Sequence, residues 1–198
     1  MTTLQYRIYT RFALIAVVLS VPLAFVLPVE VSFENGLIEN IQVIVLIVGA
    51  IWLLNIRSPI KWFQRFCAAG LVLIALRELS WGRVFFPIDM EKLGPVFVGM
   101  ADYKYRIQVY VFLVAYVSAM IFMLIKLVPI KRLIESSQPL AALAVIVMAI
   151  IFSYIGDHGW IIGKKYGQIL EEFNELIVYM TLPVAALYYC RADAGKIF

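Results

Sequence analysis

Six apolar stretches, each close to the length that crosses a bilayer, are the feature that most constrains this chain. A membrane-spanning α-helix needs about 20 predominantly apolar residues, and only short polar links separate these stretches. The sequence therefore predicts an all-α polytopic membrane protein, a bundle of six transmembrane helices that forms a single transmembrane domain over residues 1–198. The predicted spans are 12–29, 36–56, 66–86, 109–128, 140–158 and 169–189.

The composition supports lipid as the solvent. Of the 198 residues, 64% are hydrophobic and 15% are charged, whereas soluble proteins have about 45–50% apolar and about 25% charged residues. The net charge of +4 is typical of basic helix ends in a membrane protein, and no basic stretch carries the interleaved aromatic residues of a nucleic-acid surface. We expect membrane lipid as a partner and no nucleic acid. A homo-oligomer and a hetero-oligomer in the membrane both stay open.

The charges divide between the two sides of the predicted bundle. One side has ten basic residues against two acids, Glu135 and Asp193, and the other has seven basic residues against eleven acids. The positive-inside rule places the first side in the cytoplasm, so we expect both termini inside a bacterial cytoplasmic (inner) membrane. The ten basic residues of that side are Arg7, Arg11, Arg57, Lys61, Arg65, Lys126, Lys131, Arg132, Arg191 and Lys196.

The first apolar stretch follows Arg7 and Arg11, as the apolar core of a secretory signal follows its basic residues. This stretch is long, however, and no convincing small-x-small cleavage pattern stands near its end. The sequence therefore favours a first helix that is retained in the membrane.

Several acidic residues fall inside the predicted spans. Glu78 lies thirteen residues beyond Arg65, about 20 Å along a helix, and the hydrocarbon core is about 30 Å thick. Counting back in the same way from Arg191 and Arg57 puts three more acids in the outer half of the membrane. They are Glu175 and Glu172 of the last span and Glu39 of the second. Charged side chains at such depth normally face a bundle interior or a water-filled cavity, which indicates a functional site.

These residues predict a cation or acid–base site. Glu78 and Glu175, with the one histidine, His158, are the candidate catalytic residues, and Glu78 is the best candidate base. A divalent cation is the candidate cofactor, because carboxylates with one imidazole suit an ion of intermediate hardness. A single histidine argues against a zinc site built from several. The candidate metal ligands are Glu39, Glu78, His158, Glu172 and Glu175.

Basic and aromatic residues beside the acids have two interpretations. Arg77 and Arg83 could bind an anionic headgroup, or they could neutralise the neighbouring carboxylates in a structural ion-pair network. Trp81 could contact a substrate, or it could belong to the aromatic belt at the membrane interface. We take Arg77, Arg83 and Trp81 as the candidate substrate-binding residues.

Three stretches resemble a family of small, uncharacterised bacterial membrane proteins. They are Glu34–Asn40, Arg77–Arg83 and Glu171–Glu175. That family has an acidic entry to an early helix, a Glu-Glu-x-Ser-Trp-Gly-Gln-Arg-like motif at the end of a middle helix, and a Glu-Glu-rich start to the last helix. In this chain Arg77 replaces the first glutamate of the middle motif, and the glutamine is missing. The resemblance implies a polytopic fold and no known activity.

Three functions fit these features. The first is a metal- or carboxylate-dependent enzyme that acts on a lipid or lipid-linked substrate from the outer leaflet. The second is an ion-coupled transporter or channel subunit, since intramembrane carboxylates are common in ion paths. The third is a non-catalytic subunit of a membrane complex. The first is favoured, because the acids are expected to converge at half depth and to open to one side only.

Overall fold

A computed structural model describes residues 3–91, 94–136, 138–160 and 162–192. Three charges used for the predicted orientation, Lys92, Asp193 and Lys196, lie outside these ranges. Short 3-10 segments at Val29–Ser32 and Ser80–Phe85 follow α1 and α3. The regular elements are α1 (Thr3–Val26), α2 (Leu37–Asn55), α3 (Lys61–Glu78), β1 (Pro87–Glu91), β2 (Gly94–Phe97), α4 (Arg106–Lys126), α5 (Ile130–Glu135), α6 (Leu140–His158) and α7 (Gly163–Ala192).

Long apolar helices dominate the described ranges, as the sequence predicts. Five of them, α1, α2, α4, α6 and α7, are long and apolar enough to cross a membrane. The third predicted span, 66–86, corresponds to α3, which begins earlier and ends at Glu78. Four charged residues in its 18 positions, Lys61, Arg65, Arg77 and Glu78, lower its hydropathy, and it is not among the five. Six spans therefore stay a prediction.

The link between α3 and α4 contains two short β-strands. Strands β1 and β2 pair antiparallel, with Met90 opposite Pro95 and a register shift near Asp89. Hairpins satisfy their backbone hydrogen bonds locally, which suits a link that leaves the apolar region. The hairpin is thus an addition to the helical fold that hydropathy alone does not predict.

Helix α7 is the centre of the bundle, in contact with α1, α2, α3 and α6. Most of its apolar segment is buried, whereas α4 buries no side chain fully. Polar bonds add to the apolar packing of α1 on α7: Asn174 Nδ2 donates to Ser20 Oγ at 2.9 Å, and the hydroxyls of Tyr9 and Thr181 lie 3.2 Å apart. Interhelical bonds of this kind stabilise helix pairs where water is absent.

Side-chain contacts also show which helix ends lie together. The Tyr6 hydroxyl of α1 accepts the amide hydrogen of Ala142 at the start of α6. At the same end of the bundle, the ring of Tyr189 on α7 packs 5.6 Å from that of Phe63 at the start of α3. We call this the basic end, because the α2–α3 turn there carries Arg57 and Lys61. The orientation of this end toward the cytoplasm stays a prediction.

Two glycines bring α6 and α7 into close contact. A Cβ atom on Gly156 of α6 would lie 2.6 Å from the carbonyl oxygen of Gly167 on α7, far inside normal contact distance. Backbone atoms cannot move aside as a flexible side chain can. Small residues allow this kind of backbone approach between membrane helices, so both positions require glycine for packing.

We expect Gly156→Ala to destabilise the protein by about 1–3 kcal/mol, because the added methyl group forces α6 away from α7. Gly70→Ala on α3 is the matched control, since its Cβ would meet only Met120 Cε at an ordinary 3.8 Å. The control should be neutral or slightly stabilising, because alanine favours helix formation. Denaturant unfolding in detergent micelles measures both, and equal stabilities for the two variants would contradict the close approach.

Candidate functional site

One tyrosine hydroxyl joins the acidic residues of α3 and α7. Tyr179 Oη lies 2.8 Å from Glu78 Oε1 and 3.2 Å from Glu175 Oε2, so its one proton is shared between two carboxylates. Arg77 Nη1 donates to both Tyr179 Oη and Glu78 Oε1, at 3.1 Å in each case. The last turn of α3 and the middle of α7 therefore meet through a four-residue network, which we call the Tyr179 network.

Local sequence explains the shape of this network. Glu175 and Tyr179 are four residues apart on α7, so they share one face of the helix. Arg77 and Glu78 are consecutive in the last turn of α3 and diverge: the Arg77 side chain is 61% exposed and that of Glu78 only 6%. A buried carboxylate thus lies beside an accessible guanidinium.

A second polar contact joins α2 to the same stretch of α7. Gln42 is completely buried, and its Nε2 donates to the Glu172 carbonyl oxygen at 2.9 Å and to Glu172 Oε2 at 3.0 Å. Within the described residues, Gln42 Oε1 is buried without a hydrogen-bond partner. Burying such an atom costs about 1–3 kcal/mol. This cost offsets part of the stabilisation that Gln42 gains from its bonds to Glu172.

Glu39 completes the group of carboxylates from the first turn of α2. Its Oε2 accepts the Asn35 amide hydrogen at 2.5 Å, and its charge interacts with those of Glu78, Glu172 and Glu175. The one guanidinium of Arg77 offsets only part of this mutual repulsion. The excess of negative charge therefore favours a positively charged partner.

Directly after Glu78 the backbone turns through three consecutive left-handed residues. Ser80, Trp81 and Gly82 have φ angles of 45°, 58° and 87°. Two of them are not glycine, and such conformations cost about 1–3 kcal/mol each. The turn is held by Ser80 Oγ, which donates to Glu34 Oε1 at 3.0 Å. Because the turn begins two residues after Glu78, it connects the Tyr179 network to Glu34.

Arg83 and Trp81 occupy different places in this turn. Arg83 Nε donates to the Ser80 carbonyl oxygen and Nη1 to that of Val98, both at 3.1 Å. Its guanidinium therefore stabilises the turn and its link to the segment after β2. Trp81 is half-buried. Substrate contact stays a prediction for both residues.

His158 lies at the C-terminal end of α6 with its own neighbours. Its Nδ1 is 3.0 Å from the Tyr154 carbonyl oxygen and 3.5 Å from Asp157 Oδ2, and its ring packs near Trp160. In the part of the chain that the structure describes, no hydrogen bond or ion pair joins His158 to the glutamates above. Nor do three or more His, Cys, Asp or Glu residues there form a group that could hold a metal ion. The divalent cation stays a hypothesis.

Among the predicted site residues, Glu78 and Glu175 are joined through Tyr179, whereas Glu172 bonds Gln42 and Glu39 bonds Asn35. The single site that would hold all four glutamates and His158 stays a prediction. Sequence analysis did not select Tyr179, although its position four residues after Glu175 was the signal that could have identified it. The contact of Gln42 with Glu172 was not predicted either.

Comparison with known proteins adds no further assignment. No protein-family model matches the chain, and no curated protein and no solved structure matches it either.

We expect Tyr179→Phe to lower the free energy of unfolding by about 1.5–3 kcal/mol, because the lost hydroxyl hydrogen-bonds charged groups on both α3 and α7. Tyr116→Phe is the control: its hydroxyl donates at 2.9 Å to an uncharged acceptor, the Ala69 carbonyl oxygen, and should cost about 0.5–1.5 kcal/mol. A double-mutant cycle with Glu78→Ala, which removes the carboxylate that accepts the bond, should show coupling of about 0.5–3 kcal/mol. Additive effects in that cycle would mean that the two side chains do not interact.

Proposed function

We propose that this is an integral protein of a bacterial inner membrane whose acidic, outward-facing site makes it a carboxylate-dependent enzyme for a lipid or lipid-linked substrate. The observation that carries the proposal is the pairing of buried Glu78 with exposed Arg77, both bonded to Tyr179. A buried carboxylate held by a hydroxyl, next to an accessible cation, is suited to bind an anionic group and to take a proton beside it.

Glu78 is the proposed general base. Within the described residues, the hydrogen bonds to its carboxylate both end on Oε1, which leaves Oε2 to accept a proton from water or a substrate hydroxyl. Tyr179 and Arg77 hold the carboxylate in one orientation, as general-base catalysis requires. Glu175, which shares the Tyr179 proton, is placed to receive or return a proton through that hydroxyl.

Arg77 is the proposed substrate-binding residue. A guanidinium has five N–H donors, and its bonds to Glu78 and Tyr179 use Nη1. The remaining donors lie on a side chain that is mostly exposed, where they fit the phosphate or carboxylate of a headgroup. Arg83, in contrast, has two of its donors engaged with backbone carbonyls, so we propose a positioning role for it.

The resemblance and the six-span arrangement are supported by how the elements meet. The stretches Glu34–Asn40, Arg77–Arg83 and Glu171–Glu175 are linked by Ser80–Glu34 and by the Tyr179 network. Three motifs that define one family are expected to share a site. Helix α3 contacts both α2 and α4, its neighbours along the chain. A membrane-spanning α3 would make the same contacts.

The test uses purified protein in nanodiscs of bacterial polar lipid extract, with lipid products followed over time by mass spectrometry. We expect a headgroup product with the unmodified protein and a loss of about 10²–10⁴-fold in rate for Glu78→Gln, because the base is removed while the Tyr179 contact is kept. Glu135→Gln, an exposed carboxylate paired with Lys131, is the control and should keep full activity.

Two outcomes would count against this function. No lipid product with the unmodified protein, or an unchanged rate in a folded Glu78→Gln variant, contradicts it directly. A proteoliposome flux assay then separates the transporter alternative: cation or proton movement that is abolished by Glu78→Gln, without lipid turnover, would assign the same carboxylates to transport instead.

A further inference from the structure

At the basic end of the bundle, the end of α2, the following turn and the start of α3 line an open cavity of about 610 Å³ with both polar and apolar walls. It lies at the opposite end of α3 from the Tyr179 network and belongs to no part of the proposed catalytic site. Three basic residues line it at intervals of four: Arg57 in the turn and Lys61 and Arg65 in the first two turns of α3. Residues four apart on a helix share a face, so the cations of α3 point to one side.

Buried polar side chains build the wall of this cavity. Gln64 is 4% exposed, and its Nε2 donates to the carbonyl oxygens of Leu53 and Ile56, which closes the end of α2. Ser58, also buried, accepts the Ile60 amide hydrogen on Oγ at 3.2 Å. Gln64 and Ser58 therefore stabilise the turn through hydrogen bonds to its backbone. The basic side chains are not needed for this purpose.

The charge of the cavity is not neutralised by the rest of the described chain. In the described ranges no carboxylate forms an ion pair with Arg57, Lys61 or Arg65, whereas Arg77 and Lys131 do pair with carboxylates. No side chain caps the start of α3, so its first amide groups are also available. An uncapped helix start beside three cations attracts an anion from two directions.

The surroundings of the cavity are those of a membrane surface. Trp62 is 41% exposed, with the Arg65 guanidinium 4.7 Å from its ring centre. On the α2 side, Trp52 and Leu54 are 45% and 57% exposed and turn apolar surface outward. Exposed tryptophans at the end of an apolar helix mark the headgroup level, so an anion bound here is adjacent to lipid chains.

We propose that this cavity binds the phosphate of an anionic glycerophospholipid, with Arg57, Lys61 and Arg65 around the headgroup and the acyl chains along α2. Basic pockets between membrane helices bind anionic lipid headgroups in this way. The neighbouring apolar surface favours a lipid over a free phosphate, because a soluble ion would gain nothing from Trp52 and Leu54.

The test measures lipid binding to the purified protein in detergent by native mass spectrometry, with dioleoyl phosphatidylglycerol as probe and dioleoyl phosphatidylcholine for comparison. We expect phosphatidylglycerol to bind at least about tenfold more tightly, and the variant Arg57→Gln/Lys61→Gln/Arg65→Gln to lose that preference, since each cation near an anionic lipid contributes severalfold in affinity. The matched control Lys126→Gln/Lys131→Gln/Arg132→Gln removes the same charge elsewhere and should keep the preference.

Three results would overturn the proposal. Equal loss in both triple variants would show general attraction by net charge, and equal binding of the two lipids would show no anion site. Displacement of phosphatidylglycerol by millimolar inorganic phosphate would identify a soluble phosphate as the ligand. If the triple variant does not fold, the single variants Lys61→Gln and Arg65→Gln give the same comparison, each against Lys126→Gln.

Discussion

The need to satisfy polar groups where water is absent controls the position of α7, and through α7 the rest of the bundle. A bilayer offers no hydrogen bonds to a buried amide, hydroxyl or carboxylate. Helix α7 finds its partners on three neighbours: Asn174 bonds Ser20 of α1, the Glu172 side chain bonds Gln42 of α2, and Tyr179 bonds Glu78 of α3. These contacts fix the rotation of α7 more narrowly than apolar packing alone, which tolerates many repackings of similar volume.

The polar contacts of α7 also carry a free-energy cost, which packing alone does not explain. Among the described residues, Gln42 Oε1 and Asn174 Oδ1 are buried without partners, and each such atom opposes folding by about 1–3 kcal/mol. The turn at Ser80 and Trp81 adds left-handed strain at the same end. Unsatisfied polar atoms and strained backbone are common near functional sites. The strained turn begins two residues after Glu78 and Asn174 directly precedes Glu175, so these costs lie close to the Tyr179 network.

Sequence analysis could predict the elements that depend on periodicity and composition. The bounds of α6 and α2 agree with the predicted spans within about two residues. Counting helix rise could place Glu39, Glu78, Glu172 and Glu175 only at a similar height. The spacing of Tyr179 from Glu175 could have placed it on the acidic face of α7. Its bond to Glu78 could not be predicted, because that bond depends on which face of α3 meets α7. The left-handed turn at Ser80–Gly82 was equally hidden, since serine and tryptophan do not signal positive φ angles. His158 was grouped with the glutamates by its height along α6, and that grouping stays a prediction.

Helix α3 decides how deep the candidate site lies. Its 18 residues make a rod of about 27 Å, close to the hydrocarbon thickness of about 30 Å. Charges at both ends, Lys61 and Arg65 at one and Arg77 and Glu78 at the other, would then each reach a polar boundary of the membrane. Low mean hydropathy is thus compatible with α3 as a sixth span, because lipid would contact its apolar middle.

With α3 as a proposed membrane span, Glu78 lies near the outer edge of the hydrocarbon rather than at its centre. That is the depth at which the headgroup of a lipid substrate joins its acyl chains, so exposed Arg77 and buried Glu78 would meet the polar bonds of the lipid and not its tails.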